Sequence, residues 1–287
     1  MKDIWVPLSA ALAHQKSVDI IANNVANINT PGFKKDQMVF KEYLTIFNRG
    51  ADNIDAPEKE WGQGDSYRSY GAENGFVVSN GTYTVFQQGQ LTPTGNPLDL
   101  AIFGQGFFEV LTPNGVRFSR RGILSLGTNG DLVTEQGFKV LSKKTEAEVP
   151  TSAEVGAPPP AAVSSVEEAK ARVINLGANP RQVTVSQQGE VFVSGKSVGT
   201  LSMVEFTDVH SLRKEGDSLF INGDEKNIKR DQLKSVIHQG MIEGSNVDAV
   251  TEMSDLIKAN RNFESLQRVL KTYDAVAGRG VNDISKF

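Results

Sequence analysis

Residue types that commonly do chemistry are sparse in this chain of 287 residues. It contains no cysteine, which excludes thiol nucleophiles, disulfide scaffolds and cysteine-ligated zinc or iron–sulfur sites. Its three histidines, His14, His210 and His238, are far apart and lack the short spacing typical of metal ligands. No serine lies in the Gly-x-Ser-x-Gly motif of a nucleophile elbow. We therefore expect no catalytic, metal or cofactor site.

Two glycine-containing motifs resemble nucleotide-binding loops but fail on their context. A phosphate loop ending in Gly195-Lys196-Ser197 needs a glycine five residues before Gly195, where Glu190 stands. The residues between them, Val191 to Val193, predict a strand, so we expect a hairpin turn at Ser194-Gly195-Lys196. Gly104-Gln105-Gly106 also precedes a strand-like run, whereas a dinucleotide fingerprint precedes a helix.

The remaining charged candidates are weak. Glu146 with Glu148, and Glu167 with Glu168, are carboxylate pairs in a polar segment, where solvated charge is the favoured interpretation. Arg120-Arg121 could bind an anion, but a solvated loop tip is favoured. The net charge of -4 opposes a general nucleic-acid binder, whose affinity depends on clustered cations. An enzyme is the least favoured class of protein.

The N-terminal region has the apolar spacing of a helix over residues 5–29. We expect this helix to end near Asn29, because Thr30 precedes Pro31 and is therefore biased towards an extended conformation. Gly32 strengthens that stop signal. The helical seam consists of Ile4, Leu8, Ala11, Gln15, Val18, Ala22 and Val25.

The C-terminal region shows the same spacing over residues 250–273. Asn246 or Asp248 could cap the start of this helix, and Gly278 with Gly280 predicts its end. Its seam consists of Val250, Met253, Ile257, Asn260, Phe263, Leu266, Leu270 and Tyr273.

The periodicity leaves two arrangements of these helices open. Each helix could fold onto the core of its own chain, or the two could pair with each other and with neighbouring subunits. In the second arrangement the polar residues Gln15 and Asn260 would fix the register of the helices at a cost in stability.

The middle of the chain, residues 73–239, indicates antiparallel β structure. Short strand-like runs alternate with turn signals, and no helix-length periodic segment separates them, which disfavours a parallel α/β fold. Five Asn-Gly pairs accept the positive φ values of tight turns. They start at Asn74, Asn80, Asn114, Asn129 and Asn222. Residues 143–170 interrupt this pattern as a Pro/Ala-rich excursion.

No run of residues has the length and apolar character of a membrane span. The first residues also lack the pattern of a secretory signal, because Pro7 and Ser9 interrupt the apolar patch and Asp3 replaces a basic start. We therefore expect either a cytosolic protein or export by a route without a cleaved signal.

Three stretches together resemble the flagellar rod and hook family of bacterial axial proteins. Residues 12–34 are similar to the signature Ala-Asn-Asn-x-Ala-Asn-x-x-Thr-x-Gly-Phe-Lys. Residues 94–108, continuing through 118–122 and 130–134, resemble the β body of that family. Residues 240–248 resemble its entry into the C-terminal helix. Glu243-Gly244-Ser245-Asn246-Val247 is closer to the proximal-rod (F) subtype, because the distal-rod (G) subtype usually has Thr at the place of Gly244.

The resemblance implies an α+β fold in which the N- and C-terminal helices pair as a coiled-coil axial domain around a central antiparallel all-β domain. Residues 1–33 would be the N-terminal axial helix and 34–72 an extended linker. Residues 73–239 would be the central β domain, which includes the excursion 143–170. Residues 240–287 would contain the C-terminal axial helix.

It also implies a structural subunit that needs no cofactor and polymerises helically into the drive shaft that transmits torque for motility. Expected partners are further copies, other rod proteins, hook-side axial proteins, possible basal-body rings and the flagellar type III export apparatus. We expect no nucleic-acid partner and no transmembrane segment. We expect the protein to lie in the flagellar basal body, spanning the periplasm, after export without a cleaved signal peptide.

The resemblance assigns roles to specific residues. Thr30, Pro31 and Gly32 would form the joint after the first helix. The assembly interface would contain Leu8, Leu12, Val18, Ile21, Asn23, Asn24, Val25, Asn27, Val250, Met253, Ile257, Phe263, Leu266 and Leu270.

The alternative from another class is an oligomeric surface-binding or carbohydrate-binding β domain with helical termini. It requires an exposed aromatic cluster, for which Trp61, Tyr67, Tyr70 and Phe76 are the candidates.

Overall fold

The computed structural model describes residues 5–46, 73–143, 169–177, 180, 182–231 and 233–284. The described chain is α+β, with a mostly antiparallel central β region between two long helices, as predicted. Most of the excursion 143–170 lies outside the described residues, and so do the paired glutamates Glu146, Glu148, Glu167 and Glu168. Trp61, Tyr67 and Tyr70 lie outside them too, and Phe76 is in a strand of the described part.

The two long helices are α1 (Trp5–Ala26) and α2 (Ala249–Ile284), and residues 169–171 are also helical. Two short 3₁₀ helices span Val209–Ser211 and Glu225–Asn227. The strands are β1 (Asp36–Ile46), β2 (Glu73–Thr84), β3 (Leu91–Pro93), β4 (Leu100–Phe103), β5 (Phe107–Thr112), β6 (Gly115–Ser119), β7 (Leu124–Leu126), β8 (Leu132–Thr134), β9 (Lys139–Val140), β10 (Val183–Val185), β11 (Glu190–Val193), β12 (Lys196–Thr200), β13 (Met203–Phe206), β14 (Arg213–Lys214), β15 (Leu219–Ile221), β16 (Ile228–Lys229), β17 (Val236–Gln239) and β18 (Met241–Glu243).

The described residues form two compact units. The first unit contains α1 up to Val25, α2, and the paired strands β1 and β2 up to Tyr83. The second unit contains residues 26–35 and 84–248, and therefore the other strands. Neither α1 nor α2, over the residues described, combines the length and apolar character that a membrane-spanning helix requires.

The second unit is built around a sheet in the order β14-β15-β6-β5-β9-β8-β7, with β13 pairing with β5 and with β16. Three smaller sheets join β10-β11-β12, β17-β4 and β18-β3. Successive side chains of β5 serve two cores because side chains alternate across a strand. Phe108 and Val110 lie in the larger aliphatic core. Phe107 packs edge-on with Phe206 and Phe220 in a smaller aromatic core.

The turn predictions were partly correct. Asn114-Gly115 closes the hairpin β5-β6, and Asn129-Gly130 lies between β7 and β8. Ser194 and Gly195 have φ of 49° and 81° in the two-residue loop between β11 and β12, which is the hairpin turn expected there. The turns expected at Asn74 and Asn80 were wrong, because both residues lie inside β2.

Asn222-Gly223 connects β15 to a 3₁₀ helix. The pair therefore does not form a hairpin turn between two strands of the described sheets.

The helix boundaries also differ from expectation. α1 ends at Ala26, three residues before Asn29, and the residues up to Gly32 form turns. The predicted end of the second helix at Gly278 and Gly280 was wrong, because α2 continues to Ile284. A helical glycine costs only about 1 kcal/mol relative to alanine, and no proline follows to stop the helix.

Candidate assembly site and joint

The predicted joint is a turn that packs tightly on the β unit. Thr30 N donates to Asn27 O at 3.2 Å, and Phe33 N donates to Thr30 O at 3.2 Å. Gly32 has φ +71°, and a Cβ at this position would lie 2.7 Å from Arg121 N. Only glycine meets both conditions, since it has no Cβ and adopts positive φ without strain. Residues 30–32 are therefore a fitted turn and not a free linker.

Directly after the joint, the Lys34 ammonium is buried in an ion pair. Its Nζ lies 2.5 Å from Glu243 Oε1, and neither side chain is exposed. Lys34 Nζ also donates to Gln87 O at 2.8 Å, and Gly89 N donates to Glu243 Oε1 at 2.9 Å. The end of β18 and the irregular segment before β3 thus meet at one buried carboxylate.

Arg120 is the second cation at this carboxylate. Its Nη1 lies 3.6 Å from Glu243 Oε2, its Nη2 donates to Gly104 O at 2.5 Å, and its guanidinium carbon lies 5.2 Å from the centre of the Phe107 ring. The prediction of a solvated loop tip was wrong for this residue, whose exposed fraction is 2%. The neighbouring Arg121 pairs with Glu135 near the surface.

Burial dominates the electrostatics of this cluster. Burial lowers the pKa of Lys34 below its usual value; attraction to Glu243 opposes this shift, and repulsion from Arg120 adds to it. Burial also lowers the pKa of Arg120, again against the attraction of Glu243. Two buried cations therefore share one carboxylate, and removal of that carboxylate would leave both without a counter-charge. We call Lys34, Arg120 and Glu243 the buried charge cluster.

Asn246 fixes the segment after the joint through its carboxamide. Its Oδ1 accepts from Lys35 N at 2.8 Å, and its Nδ2 donates to Val85 O at 2.7 Å and to Gln87 O at 3.1 Å. Asn246 therefore does not cap α2, although the sequence allowed that role. Asp248 is the residue that immediately precedes the helix.

Asn24, a predicted interface residue, is used within the chain. It is 1% exposed, and it pairs with the backbone of Asp36 by accepting from N at 3.0 Å and donating to O at 2.9 Å. Its Nδ2 also donates to Glu252 Oε2 at 3.3 Å. One carboxamide thus connects α1, the start of β1 and the first turn of α2.

The other predicted interface residues of α1 vary in exposure. Leu12 is 60% exposed, and Asn23 is exposed as well. The rest are half-buried: Leu8, Val18, Ile21, Val25 and Asn27.

On α2 the predicted seam divides into two groups. Val250, Met253 and Ile257 are 79%, 51% and 54% exposed. In contrast, the later members are half-buried: Phe263, Leu266 and Leu270. The seam therefore mixes two sides of the helix, and it omits the half-buried Leu256 and the buried Ala259.

No pattern in the sequence predicted the buried charge cluster. Its three members lie in the three separate stretches that resemble the family, which is the signal that could have grouped them. The three residues meet only in the folded chain. The spacing of residues along the sequence does not show such a contact.

Family models match the same three regions. Residues 6–34 match "Flagella basal body rod protein", residues 101–193 match "Flagellar hook protein FlgE/F/G D1 domain", and residues 238–284 match "Flagellar basal body rod FlgEFG protein C-terminal". The flagellar basal-body rod protein FlgF of Caulobacter vibrioides is 30% identical over 286 residues, which cover 99% of this chain and 98% of that protein. The chain belongs to the flagellar basal-body rod protein family.

Further relatives cover nearly all of the rod subunit. The flagellar basal-body rod protein FlgG of Agrobacterium fabrum is 29% identical over 296 residues, covering 96% of this chain and 97% of that protein. FlgG of Bacillus subtilis is 27% identical over 294 residues, which cover 98% of each chain. The rod subunit is thus a structural component of the flagellar basal body, and not an enzyme.

Proposed function

We propose that this rod subunit polymerises helically into the drive shaft that transmits torque towards the hook, and that α1 and α2 pair as a coiled coil along its axis. The observation that carries this proposal is the exposed apolar surface of α2. Val250, Met253 and Ile257 each leave about half or more of the side chain uncovered. Burial of a large apolar side chain contributes about 1.5–3 kcal/mol. Assembly would therefore stabilise residues that the single chain leaves in water.

The proposal assigns one part to each unit. The terminal helices carry the axial contacts, and the β unit carries lateral and outer contacts. Relative to the segments expected from the sequence, we move the ends of the axial parts to Val25 and Ala249, since residues 26–35 belong with the β unit. Thr30, Pro31 and Gly32 then form the joint between the first helix and the segment 34–72.

We place the subunit in the proximal rod. Gly244 supports this choice, because the distal subtype usually has Thr there, and a Cβ at this position would lie 3.3 Å from Gln90 O. The partners in this proposal are further copies, other rod proteins, hook-side axial proteins and the basal-body rings. Export by the flagellar type III apparatus would deliver the chain to the periplasmic part of the basal body.

Deletion of the gene tests this role. We expect deletion cells to be non-motile and their basal bodies to contain incomplete rods without hooks. A plasmid copy should restore both, and a copy with Met253→Asp should restore neither, because the charge would enter the helix contact. Normal flagella in the deletion strain would refute the proposal.

A further inference from the structure

Helix α2 presents apolar residues on three different sides. At about 100° of rotation per residue, Leu256, Ala259, Phe263, Leu266 and Leu270 share one side, and all of them are buried or half-buried. The exposed apolar residues form two further groups. Patch 1 consists of Val250, Met253 and Ile257; patch 2 consists of Val269, Tyr273 and Val276, which are 43%, 44% and 62% exposed.

The two patches lie on different sides and in different halves of the helix. Each patch spans about 60° of the helix circumference, and their centres are about 130° apart. Their centres are also separated along the axis by about 29 Å at 1.5 Å per residue.

Each side is apolar over only half of its length. The side of patch 1 continues towards the C-terminus with the exposed residues Arg261, Glu264 and Arg268. The side of patch 2 carries the exposed residues Thr251, Lys258 and Asn262 in the first half of the helix. If the patch 1 side of one α2 met the patch 2 side of a fully overlapping parallel α2, polar and charged residues would lie against apolar ones. A partner helix that is shifted along the axis can cover one patch without facing the polar half of the same side.

We infer that patch 1 of one copy packs against patch 2 of the next copy, with parallel α2 helices shifted by about 29 Å along their axis. This inference rests on the proposed function, because it requires copies of the chain to be neighbours in the rod. A straight helix cannot bring its own two patches together, so a contact between patch 1 and patch 2 requires two molecules.

A second copy fits these patches for a specific reason. Contact between two different patches is heterologous and does not close, so every added copy leaves one patch free for the next. Pairing of patch 1 with itself would instead close a dimer and end growth. The membership of a rod family, whose subunits assemble with axial components, favours the contact that propagates.

The absence of cysteine from the chain permits a direct cross-linking test. The double variant Met253→Cys/Tyr273→Cys would be the only copy in the cell, and purified basal bodies would be oxidised with copper phenanthroline. We expect a ladder of covalent oligomers of this subunit on a non-reducing gel, because each copy forms one bond on each side. The single variants Met253→Cys and Tyr273→Cys should stay monomeric.

A matched control places cysteines on the polar halves of the same two sides. Lys258→Cys/Arg268→Cys introduces two exposed thiols that the proposed contact does not bring together, so no ladder should form. If the Met253/Tyr273 double variant assembles no rods, Ile257→Cys/Val276→Cys is tested in the same way.

Dimers from either single variant would overturn the inference in favour of self-pairing patches. Rods that contain the double variant but give no ladder would also overturn it, while leaving the proposed function intact. Purified rods that lack the subunit altogether would refute the proposed function instead.

Discussion

Lys34 Nζ lies 2.5 Å from Glu243 Oε1, and both side chains are shielded from water. This contact joins the segment after α1 to the segment before α2, and Arg120 lies on the other oxygen of the same carboxylate at 3.6 Å. Buried ion pairs are costly to break, because the remaining charge has neither water nor partner. We therefore expect the buried charge cluster to hold the segment after α1 and the segment before α2 together within the β unit.

Glu243→Gln should destabilise the protein strongly, because it leaves Lys34 and Arg120 buried without a counter-charge. We expect a loss of about 3–5 kcal/mol in the free energy of unfolding. Urea denaturation of the purified protein measures this loss. The control Asp255→Asn breaks the exposed pair with Lys258 and should cost about 0–1 kcal/mol. Equal losses in the two variants would contradict a special role for the cluster.

Gly32→Ala should destabilise the joint for two reasons, namely its positive φ and the close approach of Arg121. The control Gly137→Ala shares only the first reason, since Gly137 has φ +84° and a Cβ there would meet nothing within 4 Å. We expect about 1–2 kcal/mol for the control and a larger loss at Gly32. Thermal or urea denaturation distinguishes them, and a loss at Gly32 no larger than at Gly137 would show that the turn is not fitted.

Asn24→Ala should loosen the connection between α1 and β1. The Asp36 amide would lose its carboxamide acceptor, and the loss of such a hydrogen bond costs about 0.5–1.5 kcal/mol. Hydrogen exchange at the Asp36 amide should accelerate in this variant. Asn29→Ala alters an exposed residue and should leave that exchange rate unchanged. Slow exchange at Asp36 in Asn24→Ala would exclude this role.

Local sequence signals predicted the elements but not the contacts between distant segments. Pro31 and Gly32 placed the end of α1 within three residues, because their backbone restrictions act locally. The helix end predicted at Gly278 and Gly280 was wrong, because glycine costs a helix so little free energy that neighbouring residues can override it. The turn predicted at Asn80 was wrong, because an Asn-Gly pair permits a turn without requiring one.

The site was harder to predict than the fold. Arg120-Arg121 has the local sequence of a solvated tip, and only the fold brings Glu243 and the Phe107 ring to Arg120. The apolar spacing of α2 correctly predicted a helix. Repeated steps of three residues drift around the helix axis, however, so the predicted seam joined residues from different sides. Exposure in the folded chain separates patch 1 from the half-buried side.

A second buried carboxylate makes stability depend on pH. Burial alone would raise the pKa of Glu109, but Arg172, the Ser202 hydroxyl and Arg230 together bring it below the usual value. Ser202 Oγ donates to it at 2.7 Å and Arg230 Nη2 at 3.0 Å. A lowered pKa in the folded state stabilises the protein above the unfolded-state pKa of about 4.3, and this contribution is lost as pH falls through the folded-state pKa.

Comparison of the wild type with Glu109→Gln tests this pH dependence. The variant should be less stable at pH 7, where the wild type has the charged carboxylate between Arg172 and Arg230. The difference in free energy of unfolding should shrink as pH falls below the unfolded-state pKa of about 4.3 and through the lower folded-state pKa, because protonation of Glu109 removes its attraction to the arginines. Urea denaturation at pH 7, 5 and 3 measures it. A difference that stays constant across this range would contradict the assigned pKa direction.

The unassembled subunit should show a sharp change in backbone protection at the joint. If, as we propose, the terminal helices gain their full stability only on assembly, amide exchange in a purified monomer should be faster in α1 and α2 than at residues 32–35, which are anchored to the β unit. Hydrogen-exchange mass spectrometry measures both, with size-exclusion chromatography to verify the monomer. Strong protection of α1 and α2 in that monomer would refute coupling between folding and assembly.

Electron microscopy of native basal bodies that carry a labelled copy of this subunit tests most directly whether the chain is built into the rod. A tag inserted within the segment 144–168 supplies the label, and motility of the tagged strain verifies function. We predict label density confined to the rod, on its proximal part. Label found on the hook alone, or complete rods without any label, would contradict the assignment.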